Sequence, residues 1–158
     1  MRLYLVRHGK AVHEQLDPQR PLSQEGRDEV KEMAQFIKAL RLNLAEVFHS
    51  TKLRARETAV LIKDAALPQA EIVEKEGLCP NDNVDNFMKA LQGRRQDLMV
   101  VGHLPFLPCL ASLLTVDEER TFFAMPPGSM VMLESTEGKV WYVTGFLTPD
   151  MIGSKEYL

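Results

Sequence analysis

The chain has 158 residues, of which 45% are apolar and 26% charged, and its formal net charge at neutral pH is −3. This length and composition are typical of one globular domain, so residues 1–158 are expected to fold as a single unit. The acidic balance argues against a nucleic-acid-binding protein, which usually carries a basic face.

Neither the apolar runs nor the cysteines indicate a membrane or secreted protein. The longest apolar run, residues 106–114, is interrupted by Pro108 and is too short to cross a bilayer. Cys79 and Cys109 make neither a closely spaced metal pair nor a disulfide framework. Only four residues separate the two arginines of the N-terminal segment, fewer than the core of a signal peptide needs. We therefore expect a cytoplasmic protein, and because nothing in the sequence demands an oligomer, a monomer.

Short apolar runs alternate with amphipathic helical patterns along most of the chain. Strands are predicted over residues 3–6, 45–49, 71–74, 98–101, 130–133 and 140–146. Helices are predicted between them, after the caps Ser23 and Ser50, over residues 84–92 and from about Pro105. Glu137-Gly138 is a hairpin signal between the last two strands, and the tail is expected to be loop or frayed. The pattern predicts a three-layer α/β/α sandwich with a mostly parallel sheet and an antiparallel C-terminal hairpin.

Polar clusters follow three of the predicted parallel strands. They are Arg7-His8-Gly9, His49-Ser50 followed by Arg54, and Gly102-His103. Ligand sites of open α/β sheets lie beyond the carboxyl ends of the strands, where helix N-termini also favour an anion. Two histidines and two arginines at this edge predict a phosphate or carboxylate site.

These residue types suit phosphoryl transfer, whose catalysis is mostly positioning and charge stabilisation. A neutral imidazole at His8 can attack phosphorus and hold the phosphoryl group covalently. Arginine donates paired hydrogen bonds to the phosphoryl oxygens, and a second histidine, His103, can donate another. Two histidines without a third ligand make a poor metal site, so neither a metal nor another cofactor is expected.

Three motifs occur in order along the chain: Arg7-His8-Gly9, the Ser-x-x-x-Arg-Ala-x-x-Thr-Ala segment at 50–59, and Gly102-His103. Together they resemble the signature of the histidine phosphatase superfamily, which has the phosphoglycerate-mutase-like fold. Arg20-Pro21-Leu22-Ser23 with Gly26, and His103-Leu104-Pro105, look like the small phosphohistidine phosphatases of the SixA type. The resemblance runs from residue 2 to about residue 145.

The resemblance implies a role for each matching residue. His8 would be the nucleophile, and the residues around the phosphate would be Arg7, Gly9, Arg20, Arg54 and His103. The implied substrate is a phosphorylated histidine on a signalling or phosphotransfer protein.

The loop after the third strand departs from the larger members of the superfamily. Those members supply an acid there to protonate an alcohol leaving group, a task that an imidazole leaving group needs less. Residues 76–85 hold no clear copy of that acid motif, and Glu76 and Asp82 are the candidates for it. A small-molecule phosphomonoesterase acting on a phosphorylated metabolite therefore stays open, as does a non-catalytic phosphate-binding module. A mutase is disfavoured because a small domain has little to enclose a reorienting substrate.

Several further residues have ordinary structural interpretations. His13 and His49 are expected to be bystanders, although His49 could line the pocket. Phe122, Phe123 and Met125 could form a docking surface near the pocket, but core packing is the favoured interpretation.

Overall fold

Strands and helices alternate along the chain as the sequence predicts. The computed structural model describes residues 1–118, 123–137 and 140–153. Within these ranges the strands are β1 (Arg2–Arg7), β2 (Glu46–His49), β3 (Glu71–Glu74), β4 (Leu98–Gly102), β5 (Met130–Thr136) and β6 (Val140–Leu147). The helices are α1 (Gln24–Ala39), α2 (Leu53–Ala66), α3 (Val84–Leu91), α4 (Phe106–Val116) and α5 (Pro149–Gly153).

The six strands form one sheet in the order β3-β2-β4-β1-β5-β6. Strands β3, β2, β4 and β1 run parallel, whereas β5 pairs antiparallel with β1 and β6 antiparallel with β5. The mostly parallel sheet and the antiparallel C-terminal hairpin are thereby confirmed. The register sets Arg7 beside Gly102 and His49 beside Val101, so the carboxyl ends of β1, β4 and β2 lie side by side.

Helices cover both faces of the sheet, which confirms the three-layer sandwich. Alternate side chains of β1 point to opposite faces, because the side-chain period of a strand is two. Leu3 and Leu5 pack with the apolar residues of α3 and α4, while Tyr4 and Val6 pack with those of α1 and α2. No helix in the described parts of the chain is long and apolar enough to span a bilayer.

The loop after β1 is pressed against the start of α1. Ser23 caps this helix as predicted, its hydroxyl accepting a hydrogen bond from the amide of Gly26 at 3.0 Å. A Cβ on Gly26 would overlap the carbonyl oxygen of Lys10, and a Cβ on Gly9 would stand 2.7 Å from a methyl of Val30. The two glycines therefore allow the loop that carries the site to lie directly on α1.

Two local predictions are wrong. Ser50 does not cap α2, whose N-cap position is Lys52 without a side-chain cap, because the Ser50 hydroxyl is engaged elsewhere. The tail beyond β6 is not simply loop, because residues 149–153 form α5, which packs against α1.

The candidate docking residues near the end of α4 pack inward. Met125 is fully buried and Phe123 is partly buried against the core, which confirms the core interpretation for both. Phe122 and the Gly138 of the predicted hairpin turn lie outside the described residues.

Candidate active site

Backbone hydrogen bonds join the three strand ends into one surface. The amide of His8 donates to the carbonyl of Gly102 at 3.1 Å, and the amide of Ser50 donates to the carbonyl of Val101 at 3.2 Å. The segments that carry His8, Arg54 and His103 consequently start from adjoining points of one sheet edge.

His8 is held as a neutral imidazole in one tautomer. The residue is 8% exposed, and Nδ1 of its ring lies 2.7 Å from the carbonyl oxygen of Gly9. Because a carbonyl can only accept, Nδ1 carries the proton and Nε2 carries the lone pair. Arg54 agrees with this assignment, since its Nε–H donates to His8 Nε2 at 3.2 Å. The lone pair of His8 is therefore on Nε2, where it accepts a hydrogen bond from the Arg54 guanidinium.

Burial lowers the pKa of His8 from 6.5 to about 4. The hydrogen bond to Gly9 opposes this shift, and the positive charges of Arg54, Arg7 and Arg20 add to it. His8 is therefore a neutral imidazole at neutral pH, and its unprotonated Nε2 is in the state that a nitrogen nucleophile requires.

His103 lies next to His8, with 5.0 Å between the ring centroids. It is 1% exposed, and burial, followed by the charges of His8 and Arg54, lowers its pKa to about 3. Its Nε2 lies 2.5 Å from the hydroxyl of Ser50, while its Nδ1 has no hydrogen-bond partner among the described residues. The site thus holds two neutral imidazoles, one of them with an unused ring nitrogen.

Arg7 and Arg54 bring guanidinium groups to the two histidines. Arg7 Nη1 donates to the carbonyl of Met125 at 2.6 Å, and its buried Nε meets no acceptor in the described part of the chain. Burial lowers the pKa of both guanidinium groups, and Arg20 contributes to the shift of Arg54. A partly buried arginine with an unused donor, as Arg7 has at Nε, is suited to binding phosphate through charge-assisted hydrogen bonds.

Thr58 is a site residue that the sequence reasoning missed. Its hydroxyl accepts from the amide of Gly9 at 3.1 Å and donates to the carbonyl of Arg54 at 2.7 Å. One side chain therefore ties the loop after His8 to the first turn of α2, which carries Arg54. The Thr-Ala pair at the end of the motif at 50–59 is the feature of the sequence that could have identified Thr58.

Arg20 reaches the mouth of the site from an unusual backbone conformation. Its φ is +51°, a region that non-glycine residues seldom adopt. The loop is anchored by Glu57 of α2, which accepts from the amide of Leu22 at 2.6 Å. Arg20 lines a cleft of about 550 Å³ together with Thr51 and Arg54.

The two candidate acids are placed differently. The Asp82 carboxylate accepts from the amide of Cys79 at 2.7 Å, and the Cys79 sulfur lies 3.5 Å from the Thr51 hydroxyl at the cleft. Cys79 thus lies between Asp82 and Thr51 of the cleft lining, whereas Glu76 is solvent-exposed.

The other two histidines have structural contacts. His49 is buried, and its Nδ1 donates to the carbonyl of Ser50 at 2.8 Å. His13 is exposed and accepts from the amide of Gln15 at 3.3 Å. Across the described ranges, no three histidine, cysteine or acidic side chains are grouped as a metal site would need.

Comparison with known proteins identifies the family of this chain. The family model of the histidine phosphatase superfamily, branch 1, matches residues 3–79, which include the Arg7-His8-Gly9 and Ser50–Ala59 motifs. An uncharacterised protein of a Picosynechococcus strain is 33% identical over 148 residues, which is 89% of this chain and 88% of that protein. The chain belongs to the histidine phosphatase superfamily.

One curated relative is named as a phosphatase. Phosphohistidine phosphatase SixA of Escherichia coli is 28% identical over 141 residues, covering 86% of this chain and 88% of that protein. On these grounds the chain is a SixA-like phosphatase of the superfamily.

Solved structures confirm the fold. The protein histidine phosphatase SixA complexed with tungstate superposes with a TM-score of 0.85 at 24% identity, covering 96% of this chain and 99% of that one. A putative alpha-ribazole-5'-P phosphatase of Escherichia coli superposes with a TM-score of 0.78 at 17% identity, covering 94% of this chain and 98% of that one.

Proposed function

We propose that this chain is a single-domain cytoplasmic phosphatase that removes the phosphoryl group from a phosphorylated histidine of a partner protein. The observation that carries the proposal is the lone pair of His8 Nε2, which lies beside Arg54 in a site with further unused donors. The similarity to the phosphohistidine phosphatase SixA supports the choice of substrate.

The first step transfers the phosphoryl group to His8. Nε2 forms a bond to phosphorus while the bond from phosphorus to the substrate imidazole breaks. The leaving ring takes the electron pair and departs neutral when its other nitrogen already carries a proton. Arg54 then exchanges its hydrogen bond to Nε2 for one to a phosphoryl oxygen, joining Arg7 and Arg20 around the charge.

The second step returns the enzyme to its starting state. A water oxygen attacks phosphorus, the bond to Nε2 breaks, and the water proton leaves with inorganic phosphate. Nδ1 of His8 keeps its proton throughout, because it stays hydrogen-bonded to the carbonyl of Gly9. Both leaving groups are imidazoles, so neither step requires a carboxylic acid.

The positive charges of Arg7, Arg20 and Arg54 offset the negative charge of the transferring phosphoryl group, so we propose a metal-independent reaction. Turnover is expected to be the same with and without a chelator such as EDTA. A chelator-sensitive rate that Mg²⁺ or Zn²⁺ restores would contradict this part of the proposal.

The substrate class is tested by comparing kcat/KM on a phosphohistidine-bearing protein with kcat/KM on sugar phosphates. We expect the phosphohistidine protein to be the better substrate by at least about tenfold, because its imidazole leaving group needs no acid from the enzyme, whereas an alcohol leaving group does. Binding of phosphate without turnover of any phosphorylated substrate would instead indicate a binding module.

Asp82 favours one alternative, a small-molecule phosphomonoesterase on the same scaffold. Its carboxylate accepts a hydrogen bond from the amide of Cys79 next to the cleft, and a putative alpha-ribazole-5'-P phosphatase has a similar fold. If Asp82 is an acid for alcohol esters, Asp82→Asn lowers ester hydrolysis and leaves phosphohistidine hydrolysis unchanged. Glu76→Gln is the matched control, since Glu76 is exposed.

A further inference from the structure

Ser50 lies between β2 and α2 with no exposed surface, and its hydroxyl faces His103. Its amide is fixed to the carbonyl of Val101, and its hydroxyl oxygen also accepts from the amide of Lys52 at 3.3 Å. The Ser50 hydroxyl has one proton to donate. Whether it donates that proton to His103 Nε2 decides which ring nitrogen of His103 carries a proton.

The proton count favours a single arrangement. If His103 Nε2 were the donor, the Ser50 oxygen would accept from both His103 and Lys52, and its own buried proton would have no acceptor within the described ranges. If Ser50 is the donor, its proton goes to Nε2 and every polar atom of the hydroxyl is used. The single proton of the neutral His103 ring is then on Nδ1, the nitrogen without a protein partner.

We propose that Ser50 is a positioning residue that holds His103 in the Nδ1–H tautomer, so that Nδ1 donates to an oxygen of the transferring phosphoryl group. The opposite tautomer would present a lone pair to that oxygen and repel it. The part of the inference that concerns the phosphoryl oxygen rests on the proposed function, whereas the tautomer does not.

The tautomer is tested without substrate, by long-range ¹H–¹⁵N correlation of the histidine rings in the full chain near neutral pH. We expect a protonated Nδ1 and an unprotonated Nε2 for His103 in the wild type, and a large Nε2–H population in Ser50→Ala. Ser135→Ala is the matched control, because Ser135 is also a buried serine and its hydroxyl has no partner in the described structure. A wild-type His103 protonated on Nε2 would overturn the inference.

Kinetics separate positioning from a general loss of stability. Ser50→Ala is expected to lower kcat on a phosphohistidine protein by about 10- to 100-fold, with KM little changed. Ser50→Thr, which keeps the hydroxyl, is expected to retain the Nδ1–H tautomer and most of kcat, and Ser135→Ala to behave as the wild type.

The outcomes distinguish this inference from the proposed function. A tautomer that switches in Ser50→Ala without a change in kcat would overturn the positioning role while leaving the phosphatase assignment intact. The expected tautomers in a protein that hydrolyses no phosphohistidine substrate would contradict the proposed function and still support the role of Ser50 in fixing the ring.

Discussion

The buried state of His8 predicts how the stability of the fold depends on pH. The pKa of His8 is about 4 in the folded protein and 6.5 in an exposed chain, because burial disfavours the charged ring. Between these values the unfolded chain binds a proton that the folded chain does not, so the free energy of unfolding falls as the pH falls from 6.5 and levels off below about 4. At 1.36 kcal/mol for each unit of pKa, His8 alone contributes a loss of about 3 kcal/mol across this window.

The prediction is checked by urea unfolding at a series of pH values in the wild type and in His8→Asn. An asparagine does not titrate, so the variant should lack this loss, and the difference between the two profiles should change by about 3 kcal/mol over the window. Because both proteins contain the same carboxylates, the contribution of carboxylate titration to the free energy of unfolding cancels in the difference between the two profiles. His13→Asn is the control and should follow the wild type, because His13 is exposed. Parallel profiles for the wild type and His8→Asn would refute the reasoning.

Two further substitutions test the loop that carries the site. Thr58→Val leaves the buried amide of Gly9 without its acceptor, so we expect the free energy of unfolding in urea to fall by about 1–3 kcal/mol and kcat to be lower. Unchanged stability and kcat would show that Thr58 does not hold the loop after His8 against α2. Gly26→Ala places a Cβ against the carbonyl of Lys10, and we expect a loss of about 3 kcal/mol or more and little activity. Gly153→Ala, where the added carbon has room, should be neutral, and equal melting temperatures for the two alanine variants would contradict the packing argument.

The strand-end rule explains why the main site residues could be predicted from the sequence. His8, Arg54 and His103 each follow a parallel strand, and parallel strands bring their carboxyl ends to one edge. The register of β1, β4 and β2 sets these ends side by side. The sequence pattern predicts the parallel class but not the strand order, because pairing partners are chosen by contacts between segments far apart in the chain.

The contacts that the sequence could not predict are those to distant partners. Ser50 has the local signature of a helix cap, but a buried histidine 53 residues away takes its hydroxyl instead. Arg7 donates to the backbone carbonyl of Met125, a contact across 118 residues that any residue type at 125 could make. Helix α5 is five residues long, too short for a clear helical period, and its packing against α1 decides its conformation.

The central claim is that His8 Nε2 becomes covalently phosphorylated during turnover. The most direct test mixes the wild type with a ³²P-labelled phosphohistidine protein, quenches in alkali within the first turnover, and maps the label by peptide analysis. The account predicts an acid-labile, alkali-stable phosphoryl group on His8 that decays at the rate of phosphate release, and no label on His8→Asn. Rapid turnover without any labelled intermediate, or a label on another residue, would contradict it.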